Sequence, residues 1–231
     1  GLPAGSIVVL HACCHNPTGA DLSEAQWLEV VESIRARGLV AFIDMAYQGF
    51  GDGIEPDALA LRLFAASGLQ FFVSSSFSKS FSLYGERVGA LSIVTASRDE
   101  SARVMSQVKR VVRTNYSNPP THGGAIVAAV LSSPELRKLW EEELAGMRER
   151  IRAMRTGLVD KLKARGVAQD FSFVARQRGM FSYTGLTAQQ VERLKAEFGI
   201  YAVSTGRICL AALNTRNLDY VADAIAAVIR K

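Results

Sequence analysis

The sequence predicts an α/β protein, with a mainly parallel sheet in its first part and a small α+β unit after it. Two observations carry this. Four apolar runs of strand length (Ile7–His11, 39–44, 69–75 and 88–94) alternate with helical signals, as in a parallel sheet covered on both faces. After a long amphipathic stretch at 134–165, short strands and helices then follow one another closely.

Taken in order, Ile7–His11 reads as a buried strand, followed by a turn at Asn16-Pro17-Thr18-Gly19. A helix is expected over 23–37, because Ser23 and Gln26 form a capping-box pattern and Gly38 ends the run. Strands follow at 39–44, 69–75 and 88–94. Open parallel sheets bind ligands beyond the carboxyl ends of their strands. Asn16, Asp44 and Lys79 all fall there. Within 134–165, Leu136, Leu139, Trp140, Leu144, Met147, Ile151, Met154, Leu158 and Leu162 recur mostly three and four apart. This is a core-facing stripe, to which no site is assigned. The long helix is expected to bridge two domains, with a boundary near Gly146. Strands at 171–174, 180–183 and 208–210, with helices at 187–198 and 217–230, complete the small unit.

The net charge of +5 over 231 residues invites a nucleic-acid reading. The bases are scattered, however, and acids alternate with them across 135–165, as on a solvated helix face. No stretch approaches the roughly 20 apolar residues of a membrane span. Three cysteines, two of them adjacent, argue against a disulfide framework and for a reducing, cytoplasmic compartment. His11-Ala12-Cys13-Cys14-His15 could suggest a metal, but strand alternation would send neighbouring side chains to opposite faces, and no metal site is expected. The chain opens without Met and enters a strand almost at once, so it is expected to have been cut from something longer.

Lys79 follows an apolar run and lies among hydroxyls in Ser74-Ser75-Ser76-Phe77-Ser78-Lys79-Ser80. Burial beside a cation favours the neutral amine that Schiff-base chemistry requires. Arg87 offers such a cation, and its planar fork also suits a phosphate. An amine nucleophile with a phosphate anchor suggests pyridoxal phosphate; a surface lysine capping a loop is the alternative. Asp44 ends an apolar run and needs a partner, which a protonated pyridine nitrogen would supply. A helix N-cap or a ribose-binding acid would also fit Asp44, though no G-x-G-x-x-G precedes it. Tyr47 and Asn16 are polar enough to hydrogen-bond a phenolic oxygen on the same ring.

These segments together resemble the fold-type I pyridoxal-phosphate enzymes, specifically the aspartate/aromatic aminotransferases. The resemblance rests on Cys13-Cys14-His15-Asn16-Pro17-Thr18-Gly19, Asp44-Met45-Ala46-Tyr47-Gln48-Gly49-Phe50, Ser76-Phe77-Ser78-Lys79 and Tyr84-Gly85-Glu86-Arg87-Val88-Gly89. It continues through Arg113-Thr114-Asn115-Tyr116-Ser117-Asn118-Pro119-Pro120, Arg178-Gly179-Met180-Phe181-Ser182 and Ser204-Thr205-Gly206-Arg207, in the same order along the chain. It implies an incomplete cofactor-binding large domain over 1–146 and a small C-terminal domain over 147–231.

By this resemblance Lys79 carries the cofactor covalently and then shuttles the substrate proton, with Tyr84 close to the reacting centre. Asp44 pairs with the pyridine nitrogen, Asn16 and Tyr47 bond the phenolic oxygen, and Ser76 and Arg87 hold the phosphate. Arg207 grips the substrate α-carboxylate, a task suited to a guanidinium fork. The resemblance also implies a homodimer with a shared active site. There Arg113 reaches the distal carboxylate of the partner's substrate, with Ser117 and Asn118 beside it and Asn16 near the substrate as well.

The implied reaction is ping-pong transfer of an amino group between aspartate or aromatic amino acids and 2-oxoglutarate. The wording around Lys79 and Phe181 leans to the aromatic branch. Another fold-type I enzyme, a lyase or decarboxylase, and a catalytically inert fragment are the alternatives. The family's phosphate-binding glycine/threonine turn, its ring-stacking aromatic, its partner-subunit tyrosine and its first sheet strands have no counterpart here. A sheet edge and apolar surface are therefore expected to be exposed.

Overall fold

The computed structural model describes residues 1–230. They form two compact units. The first comprises Gly1–Ala12, Leu22–Gly49 and Gly53–Glu143; the second comprises Cys13–Asp21, Phe50–Asp52 and the residues from Leu144 on.

The first unit is built on a four-stranded sheet of order β1-β2-β3-β4: β1 (Ile7–His11), β2 (Val40–Met45), β3 (Phe71–Ser76) and β4 (Gly89–Val94). β1, β2 and β3 run parallel, and β4 is antiparallel to β3, so the sheet is mainly parallel as expected. Alternation is clear in β2, where Ala41, Ile43 and Met45 are buried and their neighbours are half-buried. On one side lie α1 (Glu24–Ala36) and α2 (Leu59–Ala66). Trp27 meets Phe64 edge-on at 6.5 Å, and Phe64 lies 5.4 Å from Phe71 of β3. Aromatic contacts of this kind add to the area they bury. The capping box of α1 is reciprocal: Gln26 N–H donates to Ser23 Oγ, and Ser23 N–H donates to Gln26 Oε1.

Further along come α3 (Arg98–Asn115), α4 (His122–Ser132) and α5 (Pro134–Ala164). No residue of α3 is buried. Trp140, in the part of α5 that belongs to this unit, stacks on Phe81 at 4.5 Å and donates its indole N–H to Ser80 O at 2.7 Å.

In the second unit the α5 residues Leu144, Ile151, Met154, Leu158 and Leu162 are buried, following the stripe read from their spacing. β5 (Phe181–Tyr183) pairs antiparallel with β6 (Arg207–Cys209). α7 (Ala188–Phe198) starts on a Thr187/Gln190 capping box and ends at Gly199 in the left-handed region. α8 (Leu218–Ile229) completes the unit. One element differs from the sequence reading. Residues 171–174 were expected as a strand, but Ser172–Arg176 form a short helix, α6. Asp170 accepts hydrogen bonds from Ser172 N–H (2.7 Å) and Ser172 Oγ (3.0 Å), which starts the helix. Phe171 and Val174, three residues apart, are then both buried. A short apolar run cannot by its periodicity distinguish these two outcomes. No helix among the described residues is long and apolar enough to cross a membrane.

Candidate functional site

In the first unit, candidate residues gather beyond the carboxyl ends of the parallel strands. Register places Asp44 opposite His11 on one side and Ser74 on the other. Ala12 N–H donates to Asp44 O at 3.0 Å, and His11 Nε2 lies 3.9 Å from Asp44 Oδ2. Asp44 remains 35% accessible at its side chain, so a ligand can still reach its carboxylate. Tyr47, just beyond β2, is buried, and the Lys79 ammonium lies 4.5 Å from the centroid of its ring. Such placement sets the amine on the ring face and limits where the flexible lysine stem can swing.

The backbone around Lys79 is held on several sides. Ser82 N–H donates to Lys79 O (3.1 Å), Phe77 N–H to Val88 O (3.2 Å), and Ser78 N–H to Ser76 Oγ (3.2 Å). Ser78 and Ser80 are buried while Lys79 between them is half-buried, so the turn anchors its neighbours inward and presents the amine. After the 3-10 turn Tyr84–Glu86, Arg87 adopts a left-handed conformation (φ 53) and donates Nη1–H to Tyr84 O at 2.9 Å. Arg87 and Tyr84 are exposed. Gly89 follows, where a Cβ would stand 2.7 Å from Ser75 O; only glycine lets β4 start this close to β3.

Arg113, Ser117 and Asn118 form a separate cluster. Arg113, in the last turn of α3, hydrogen-bonds Ser117 Oγ, Ser117 takes a left-handed φ of 73°, and all three residues are exposed.

The second unit brings together Asn16 and Arg207. The Asp21 carboxylate accepts from Cys14 N–H (2.7 Å) and His15 N–H (2.8 Å), and Gly19 N–H donates to His15 O (2.7 Å), which closes the loop that carries Asn16. The Asn16–Pro17 peptide bond is cis. Arg207 opens β6 opposite Tyr183 of β5. Its Nη1–H donates to Asn16 Oδ1 at 3.0 Å, and its guanidinium carbon lies 4.7 Å from the centroid of the Phe181 ring.

Arg155, on the inward stripe of α5, has no place in the sequence reading. It is 1% exposed, and its fork donates to Val174 O, Ser182 Oγ, Arg178 O, Gly179 O and Phe181 O at 2.6–3.1 Å. Burial lowers its pKa to about 10, with the Arg178 cation adding to the effect, against the pull of Cys14 and Asp21. The available signal was its spacing: it stands four residues after Ile151 and three before Leu158, both buried. A lone arginine at such a position ordinarily reads as a solvated charge.

Comparison with known proteins identifies the family. Residues 2–225 match the family model described as aminotransferase class I and II. The chain is 72% identical over 228 residues to an aspartate aminotransferase of Pseudomonas aeruginosa, and 54% identical over 228 residues to an aromatic-amino-acid aminotransferase of Escherichia coli. Each alignment covers 99% of this chain and 57% of the relative, so the chain spans a little over half the length of these proteins. Among solved structures, the aromatic-amino-acid aminotransferase of Burkholderia pseudomallei, covalently bound to pyridoxal phosphate, superposes with a TM-score of 0.98 at 73% identity. That superposition covers 100% of this chain and 58% of the other. With the two unit architectures, the strand-end lysine and a family match over nearly the whole chain in agreement, the chain belongs to the class I and II aminotransferases, a fold-type I family.

Proposed function

We propose that this chain carries the cofactor- and substrate-handling residues of a pyridoxal-phosphate-dependent aminotransferase, which moves an amino group between aspartate or aromatic amino acids and 2-oxoglutarate. The observation that carries the reading is Lys79, whose half-buried amine is held over the Tyr47 ring beyond the strand ends. The donor set fits a phosphorylated pyridine aldehyde: an amine (Lys79), an accessible carboxylate (Asp44), a phenol (Tyr47), a hydroxyl (Ser76) and a guanidinium (Arg87). When bound, the cofactor supplies an electron sink for the carbanion at the substrate α-carbon.

Each residue then has a defined task. Lys79 Nζ would hold the cofactor and, once released, would carry the proton away from the substrate α-carbon. The Asp44 carboxylate would keep the pyridine nitrogen protonated, while Ser76 and Arg87 would hold the phosphate. With Asn16 Oδ1 engaged by Arg207, what Asn16 offers a phenolate is its amide N–H, alongside the Tyr47 hydroxyl. Arg207 binds the α-carboxylate and thereby orients the Cα–H bond toward the base. Tyr84 stands near the reacting centre. Arg113, with Ser117 and Asn118, binds the distal carboxylate of a substrate held by the partner in a homodimer. The reaction runs in two half-reactions, ping-pong, in a cytoplasmic setting.

Borohydride reduction after incubation with pyridoxal phosphate, followed by mapping of the adduct by mass spectrometry, tests this. A modification confined to Lys79 is expected. Scattered lysine adducts, or none, would mean that this chain does not organise the site.

A further inference from the structure

Arg155 is the one cation among the buried polar residues described, and all five of its acceptors are neutral. Four of them are backbone carbonyls in the segment that runs from α6 into β5. A buried guanidinium with no carboxylate hydrogen-bonded to its fork recovers only part of its desolvation cost, so it is a poor way to gain stability alone. What such a fork does well is impose geometry, because its donors are rigid and coplanar.

The segment it grips is the one that shapes both partners of Arg207. Phe181, whose carbonyl Arg155 holds at 2.8 Å, places its ring beside the Arg207 guanidinium. Gly179, whose carbonyl it holds at 2.7 Å, packs so closely on Cys14 that a Cβ would sit 2.4 Å from the Cys14 Cβ. Arg178, whose carbonyl it also holds, donates its N–H to Gly19 O at 2.8 Å. Cys14 and Gly19 bracket Asn16, the hydrogen-bond acceptor of Arg207. Leu210 N–H donates to Met180 O at 2.7 Å, which fastens the same segment to the residue that follows β6.

We propose that Arg155 is a positioning residue for carboxylate recognition: by fixing residues 178–182, it sets the two contacts, Phe181 and Asn16, that aim Arg207. This rests on the reading of Arg207 as the α-carboxylate anchor. Arg155 touches no substrate itself; it determines whether the Arg207 fork meets a carboxylate in register.

The test is calorimetric titration of the protein with 3-phenylpropanoate, a carboxylate that lacks the reacting amine, for Arg155→Met, Arg155→Lys, Arg207→Leu and the double variant Arg155→Met/Arg207→Leu. Circular dichroism confirms folding, and Arg155→Lys, which keeps the charge without the fork, replaces Arg155→Met if that variant fails to fold. Arg155→Met is expected to weaken binding by about tenfold or more, the scale of a charged hydrogen bond lost. Arg155→Lys is expected to recover little of this. The double variant should bind no worse than Arg207→Leu alone, because the two losses are one; a merely structural role would make them multiply. If Arg207→Leu weakens binding while the Arg155 variants do not, or if the losses multiply, the positioning role is overturned and the reading of Arg207 stands. If the unmodified protein does not bind the probe, or Arg207→Leu leaves its affinity unchanged, the reading of Arg207 falls and this inference with it.

Discussion

Gly179 shows how little freedom the loops around Asn16 and Phe181 have. Its φ is +76°, and a Cβ there would stand 2.4 Å from that of Cys14. Gly179→Ala therefore meets both a backbone and a contact penalty, and is expected to cost about 1–3 kcal/mol. Urea denaturation checks this; an unchanged midpoint would mean that the two loops can part without cost. At Lys79 the expectation is the opposite. Lys79→Ala removes the amine from a half-buried place over Tyr47, so the fold should persist while the proposed transamination by the full-length protein is abolished. Substantial residual turnover would exclude Lys79 as the proton carrier. These residues were unequally legible in the sequence. Lys79 and Asp44 stand out because an ionisable side chain at the end of an apolar strand has few structural reasons to be there. Arg155 does not, because its meaning comes from carbonyls of a segment whose path no local pattern reveals.

Helix pairing in the second unit depends on ions as well as on apolar contact. Lys161 donates to Asp219 at 2.6 Å, and Arg165, just past α5, donates to Asp223 at 2.6 Å, which ties the end of α5 to α8. The Lys161 bond holds the Asp219 carboxyl below its ordinary 3.8, and the Arg165 bond does the same for Asp223. Acids with depressed folded pKa values contribute stability that is present above the unfolded value and lost as pH falls through the folded one. The thermal midpoint should therefore decline below pH 3.8, and Asp219→Asn/Asp223→Asn should flatten that decline. An acid limb of the same shape in the double variant would show that other groups set it. Elements with chemistry at their ends were the legible ones: α1 and α7 announce themselves by Ser/Thr and Gln at capping-box spacing. α6 is hidden in the sequence because its start depends on Asp170, while its apolar residues also fit a strand.

Across the whole molecule, the exposed surface carries its own consequence. β4 is an edge strand, and it forms with α3 a cleft of about 990 Å3 lined by Phe72, Leu91, Ile93, Val104, Val108 and Val111. Leu91, Met105 and Val111 are each more than half exposed. Edges and patches of this kind associate. Sedimentation of the chain should show concentration-dependent self-association, reduced by Val111→Glu; association indifferent to that charge would place the sticky surface elsewhere. A different consequence follows from the Asn16–Arg207 hydrogen bond, which joins residues 191 apart in the chain. Contacts of such long range are slow to form, because the ends must find each other after most of the intervening chain has been made. On the ribosome, Asn16 emerges long before its partner exists. The Asn16–Arg207 pair is thus a late assembly, and a polypeptide arrested between β4 and β6 would carry Lys79 before the Arg207 that donates to Asn16 exists.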